Sequence, residues 1–464
     1  MLMLDAETRD ALWRRLIEAI EDYASRVGEA RVAPELDPEA IRSLLAPFDF
    51  ARPVEPLAAL DFAVENLWRH QVHTPHPRYF GLFNPAPTTM GIAADALVAA
   101  FNPQLAAWSH APFANEVERH LVEAFAERFG YPKGQRDGTF TSGGSEANHT
   151  ALLCALAARF PAFGEHGARA LGGDPVLYVS ELAHHSFVKL ARACGLGTEA
   201  VRTLPVDPSL RLTPGVLRAS IQQDRSAGRR PFMAVGTAGS TSAGVVDDLA
   251  ALADVAEAED VWYHVDAAWG GAAALVPELR GVLAGIERAD SITFDAHKFL
   301  SVPMGAGVFL TRHTDVLSEA FGIHTAYMPA NQGAPDPYTH SIQWSRRAIG
   351  MKVFLSLLVA GWDGYAEVIR HQTAMGRLLR ERLGADGWQI VNDTPLPVVC
   401  FTAPGADAAR LQCIADAVVE AGAWISTTRL DAGRPVLRAC VTSYRTTEAD
   451  VEALVTMLRE ARAA

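Results

Sequence analysis

Ser291-Ile292-Thr293-Phe294-Asp295-Ala296-His297-Lys298-Phe299-Leu300 is an apolar run that stops at a polar corner, with a lysine just beyond it. About thirty residues earlier a second run, Val261-Trp262-Tyr263-His264-Val265, ends in Asp266 and is followed by Ala267-Ala268-Trp269-Gly270-Gly271. Both read as buried strands bounded by turn residues. Outward from this pair, strands are expected near 138–142, 175–180, 200–206, 232–237, 261–266, 290–295 and 305–311. Helical patterns fall between most of them, as in Glu146 to Phe160, Leu249 to Glu259 and Val276 to Gly285. Such alternation predicts an α/β fold with a mainly parallel seven-stranded sheet covered on both faces. The last two strands are joined too closely for a helical crossover, so one runs antiparallel.

The flanks differ in texture. Residues 5 to 30 read as an amphipathic helix with Leu12, Leu16, Ile17, Ile20 and Tyr23 on one face. Pro34, Pro38, Pro47, Pro53 and Pro56 then divide the chain into short pieces too open to build their own core. After residue 345 come two helices, roughly 345–361 and 365–384, strands near 397–402 and 435–443, and a last helix from Glu448. The expected division is an N-terminal helical arm over 1–88, a large domain over 89–355 and a small α+β domain over 356–464.

Composition narrows the function classes. Apolar content of 49% and charged content of 20% are those of a globular protein with a substantial core. A formal net charge of -13 argues against nucleic acid or an anionic membrane as partner. Cys154, Cys194, Cys400, Cys413 and Cys440 are scattered without metal spacing, which suits free thiols in a reducing cytoplasm and no bound metal. The start, Met1-Leu2-Met3-Leu4-Asp5-Ala6-Glu7, is not a secretory signal, and no apolar run reaches membrane-spanning length. A cytoplasmic location is expected.

The chemistry gathers at strand ends. In Thr139-Phe140-Thr141-Ser142-Gly143-Gly144-Ser145-Glu146-Ala147-Asn148 a strand ends, two glycines turn the backbone and a serine opens a helix. Free amides and the helix dipole there make an anion cradle, to which Ser145 adds a hydroxyl. His184, in Ser180-Glu181-Leu182-Ala183-His184-His185-Ser186, follows another strand and could stack on a ring. Thr237, in Gly236-Thr237-Ala238-Gly239-Ser240-Thr241 ahead of Asp247 and Asp248, ends a third. Taken singly, each is a common helix start, cap or solvated loop. Together they lie beyond strand C-termini, where open α/β sheets bind ligands. A carboxylate at one strand end and a lysine at the next suit pyridoxal 5'-phosphate. Lys298 would form its Schiff base and Asp266 would hold its pyridine nitrogen protonated. Ala268 is small enough to lie flat against the ring, and His297 points to the phosphate or supports the lysine.

Asp-Ala-His-Lys, His-Val-Asp-Ala-Ala-Trp-Gly-Gly and Ser-Gly-Gly-Ser-Glu-Ala-Asn occur in one chain with His76-Pro77-Arg78-Tyr79-Phe80-Gly81 and Trp344-Ser345-Arg346-Arg347. Together they resemble the group II pyridoxal-phosphate-dependent amino-acid decarboxylases, which include the aromatic-amino-acid, glutamate, cysteine-sulfinate and histidine enzymes. The resemblance runs from about residue 60 to Val436-Leu437-Arg438-Ala439-Cys440. It implies the aspartate-aminotransferase-like fold (type I) and a homodimer with shared active sites and a swapped N-terminal arm. It implies that an L-amino acid loses its α-carboxylate as carbon dioxide through a Lys298 Schiff base and a quinonoid, leaving an amine. By motif, Lys298 matches the Schiff-base lysine, Asp266 the pyridine partner, His184 the stacking histidine, and Thr237 the threonine beside the ring. Gly144, Ser145 and His297 match the phosphate contacts. Tyr327 matches the catalytic-loop tyrosine that returns a proton to Cα, and the Gly/Pro-rich Met328 to Pro337 suits a mobile lid. Members with phenylalanine at the tyrosine position tend toward oxidative aldehyde formation.

The chain departs from the pattern at three places. Asp295-Ala296 stands where animal members carry Asn-Pro. Asn102 to Trp108 offers small residues where aromatic-amino-acid enzymes carry a phenylalanine, and Trp269 matches the glutamate and cysteine-sulfinate groups without a clear arginine pair for a side-chain carboxylate. The alternatives are another fold type I lyase (a sphingosine-phosphate-lyase-like aldolase or a cysteine desulfurase), a decarboxylation-coupled aldehyde synthase, or a non-catalytic cofactor-binding protein.

Overall fold

The computed structural model describes residues 2–323, 325 and 334–464. The alternating stretch forms β1 (Asp137–Thr141), β2 (Pro175–Ser180), β3 (Val201–Leu204), β4 (Arg230–Thr237), β5 (Trp262–Asp266), β6 (Ser291–Asp295) and β7 (Gly307–Thr311). They make one seven-stranded sheet in the order β1-β7-β6-β5-β4-β2-β3. Pairs from β3 through β6 are parallel, while β7 runs antiparallel to both β6 and β1. The short Ala296–Ala306 connection has no room for a crossover helix, so β7 returns beside β6. β5 and β6 are buried along their whole length, as strands covered on both faces must be.

One helix expectation is corrected. Residues 276–285 form no α-helix but belong to a run of tight turns, Gly270–Leu275, Arg280–Leu283 and Ile286–Arg288. Pro277 lacks a donor, and Gly285 takes φ 94 with its Cα position pressed against the Ala250 backbone. A side chain there would meet Ala250 atoms at 2.4 Å, so the chain closes on the helix Leu249–Ala258 instead of winding.

The two helices expected after 345 are present within Gly350–Ala385, separated by the non-helical backbone of Gly361 (φ 63, ψ 176). Together they cross from the large sheet to a second one, made of β8 (Gln389–Ile390), β9 (Val398–Thr402), β10 (Ser426–Arg429) and β11 (Pro435–Cys440). Their order is β10-β11-β9-β8, all antiparallel, with its own core of Leu379, Phe401, Leu411, Leu437 and Leu454. β8 is two residues long and β10 is a short polar run, so neither carries a strand signal along the sequence.

The N-terminal helix is Ala6–Arg26, capped by Asp5. It packs on Pro56–Arg69 through Tyr23 and Trp68, edge to face at 5.0 Å. Trp13 and Ile17 remain exposed. No helix among the described residues is long and apolar enough to cross a membrane.

Candidate active site

A cavity of about 280 Å³ opens at the C-terminal ends of the parallel strands, lined among others by Gly144, His184, Asp266, Ala268, His297 and Lys298. Ser145 and Thr237 line it too, so the described residues singled out in the sequence converge on one cavity. Tyr327 and most of the expected lid, residues 328–333, lie outside the described residues.

Lys298 follows β6, and its Nζ is 3.0 Å from Asp295 Oδ2. A hydrogen bond from Lys298 N to Asp295 O folds the corner back on itself, and Asp295 N donates to Ala268 O, tying it to the end of β5. Asp295 is 2% exposed, and its Oδ1 has no hydrogen-bond partner among the described residues. His297 is buried, with Nδ1 accepting from Ala306 N, so its proton lies on Nε2. Burial lowers its pKa from the ordinary value, and the Lys298 charge acts in the same direction.

Asp266 ends β5. Its Oδ1 accepts from Ala268 N and its Oδ2 from Asn148 Nδ2 at 2.9 Å. At the next strand end, Thr237 N donates to Asp247 Oδ2. Asp247 is thus a structural pin, with burial pushing its pKa up to about 7, while Asp248 caps the following helix. The Thr237 hydroxyl is buried without a partner among the described residues. His184 stands exposed at the mouth, its Nδ1 accepting from Ser186 N. Desolvation lowers its pKa and Asp266 opposes that shift.

The helix Gly144–Arg159 starts at the cavity. Its first-turn amides at Gly144 and Ser145 have no intrahelical carbonyl to reach. A Cβ at Gly144 would lie 2.8 Å from Asp295 Oδ2 and 3.2 Å from that of Ala268, so only glycine leaves this cradle open. The open anion cradle, the unpartnered Thr237 hydroxyl, the lysine and the strand-end carboxylate fit pyridoxal phosphate.

Phe83 and Asn148 were not assigned roles from the sequence. Phe83 stacks on Trp269 (4.4 Å between centroids), which stacks on Phe299 (4.9 Å). Its other neighbours are Lys298 Nζ at 5.6 Å and the buried Arg438 guanidinium at 4.9 Å. Such ring pairs are worth about 0.5–1.5 kcal/mol beyond area burial. The signal for Phe83 was the His76–Gly81 motif: Phe80 N donates to Trp424 O and Cys440 N to Phe80 O, which pins the segment to the small domain. The Trp344–Arg347 motif is structural in part, since Arg346 makes a buried ion pair with Glu118 at 2.7 Å.

The Pyridoxal-dependent decarboxylase conserved domain matches residues 38–404. The chain belongs to the pyridoxal-dependent decarboxylase family. It is 30% identical over 460 residues to the aromatic-L-amino-acid decarboxylase of Bacillus atrophaeus, covering 96% of this chain and 94% of that one. It is 29% identical to the acidic amino acid decarboxylase GADL1 of Bos taurus, over 84% of this chain and 75% of that one. The crystal structure of mouse CSAD superposes with a TM-score of 0.92 at 26% identity, covering 99% of each chain. As a pyridoxal-dependent decarboxylase the chain has the type I α/β fold, uses pyridoxal phosphate and is a carboxy-lyase. The relatives act on both aromatic and acidic amino acids by name, so family membership leaves the side chain of the substrate open.

Proposed function

We propose that this enzyme removes the α-carboxylate of a free L-amino acid, releasing carbon dioxide and the matching amine. The observation that carries the reading is the shared cavity of Lys298, Asp266 and the Gly144 helix start. Bound pyridoxal phosphate supplies an aldehyde for the substrate amine and a protonated ring that accepts the electron pair of the broken bond. Gly144, Ser145 and His297 would hold the phosphate. Asp266 would pair with the ring nitrogen, Ala268 and His184 would flank the ring, and Thr237 would lie beside it. Lys298 would hold the cofactor through its amine and would be released when the substrate amine takes its place. Tyr327 returns a proton to Cα after carbon dioxide departs.

The rival lyases are less well supported. A desulfurase needs a mobile nucleophilic thiol, yet among the described residues no cysteine lines the cavity, and Cys154, Cys400 and Cys440 are buried. We further infer a cytoplasmic homodimer in which the arm, residues 1–88, crosses to a second copy. Exposed Trp13, Ile17, Leu45 and Phe50 on that arm support this.

The test is carbon dioxide release by the cofactor-loaded enzyme against the common L-amino acids, 2,4-diaminobutyrate and cysteine sulfinate. Release from one or a few, lost in Lys298→Ala, is the expected result. No release from any would move the reaction to another bond at Cα.

A further inference from the structure

Asp266 is the end point of a buried hydrogen-bond chain joining β5, β6 and the helix Gly144–Arg159. Trp262, His264 and Asp266 alternate along β5 and so share one face, with Ser291 of β6 in register with His264. Trp262 Nε1 donates to Ser291 Oγ at 2.9 Å, and Ser291 Oγ is 2.9 Å from His264 Nδ1. His264 Nε2 is 3.1 Å from Asn148 Oδ1, and Asn148 Nδ2 donates to Asp266 Oδ2 at 2.9 Å. Side contacts to Ser186 Oγ at 3.2 Å and Thr293 Oγ1 at 3.4 Å flank this line. Asn148 is 1% exposed and both His264 and Ser291 are 0% exposed.

The two ends set the direction. An indole N–H only donates and a carboxylate only accepts. Ser291, accepting from the indole, turns its own hydrogen to His264 Nδ1. His264 therefore carries its proton on Nε2 and donates to Asn148 Oδ1, which turns the amide NH₂ toward Asp266. Complete burial keeps the imidazole neutral, with its pKa lowered to about 4, as one ring N–H requires. All four bonds point one way, and hydrogen bonds so aligned polarise one another.

We propose that Asn148, His264, Ser291 and Trp262 are positioning residues that set how strongly Asp266 engages the pyridine nitrogen of bound pyridoxal phosphate. The inference rests on Asp266 facing that nitrogen. Nothing in the general reading of the site requires residues up to four bonds away to matter; the uniform direction of the chain does.

The test compares dissociation constants of pyridoxal phosphate and its 1-deaza analogue, in which a ring CH replaces the nitrogen, on the full-length cofactor-stripped protein. Wild type binding both equally would remove the Asp266–nitrogen contact itself, a failure separate from that of the relay. Asn148→Leu is expected to weaken pyridoxal phosphate roughly tenfold or more and to leave the analogue within about twofold, because only the natural ring reads the carboxylate. Ser291→Ala, three bonds from Asp266 where Asn148 is one, is expected to cost roughly two- to fivefold with the same ligand selectivity, and decides alone if Asn148→Leu does not fold. Equal weakening of both ligands indicates a structural role and overturns the proposal, as does no weakening of either.

Discussion

Lys298 Nζ and Asp295 Oδ2 form a 3.0 Å ion pair in which the carboxylate is nearly inaccessible and the ammonium only partly exposed. The pair holds the lysine amine at the mouth of the cavity before any ligand arrives. Removing one member of a buried pair leaves the other charge uncompensated and costs about 3–5 kcal/mol. Lys298→Ala is therefore expected to lose all turnover and also to destabilise the cofactor-free protein. Lys298→Ala with Asp295→Asn should regain most of that stability in thermal unfolding and none of the activity. Equal thermal midpoints for the wild type and Lys298→Ala would show that the pair carries no stability.

Gly144→Ala places a methyl group 2.8 Å from Asp295 Oδ2 and 3.2 Å from Ala268 Cβ. Overpacking of this kind typically costs about 1–3 kcal/mol. Because the Asp295 side chain must shift out of the cradle, the expected loss falls on cofactor affinity, roughly tenfold by fluorescence titration. Circular dichroism should stay that of the wild type.

His264 supplies a pH dependence of stability. Its folded pKa is about 4, below the ordinary value of 6.5. Between these two values the unfolded chain binds a proton that the native state does not, so this contribution is present above pH 6.5 and is lost as pH falls toward 4. The full effect is on the order of 3 kcal/mol. Urea unfolding at stepped pH should show this slope, and His264→Gln should flatten it.

Tyr327 is proposed to protonate Cα, which makes product partitioning its signature. The wild type is expected to form one amine for each carbon dioxide released. Tyr327→Phe should lower that ratio, with aldehyde accounting for the missing amine, measured by chromatography beside carbon dioxide release in air. An unchanged ratio would leave the proton to another group.

The strand ends were legible because their signals are local. Apolar runs closed by Gly143-Gly144, Thr237, Asp266 or Lys298 encode a strand, a turn and a reactive side chain within a few neighbouring residues. That pattern was enough for the seven strands, their mainly parallel sense, the cofactor and the family. Tertiary structure decided what depends on distant partners. Residues 276–285 carry a helical pattern yet turn tightly, because Gly285 packs against Ala250. Phe83 reaches Trp269 only because Phe80 bonds Trp424 and Cys440 more than 300 positions later. Asn148 meets His264 and Asp266 because strand order lays one helix across β5, at separations of 116 and 118 residues. Backbone period and turn chemistry act between neighbours and can be read along a chain. Which buried donor finds which acceptor is settled only when the sheet order and register bring them within 3 Å or so.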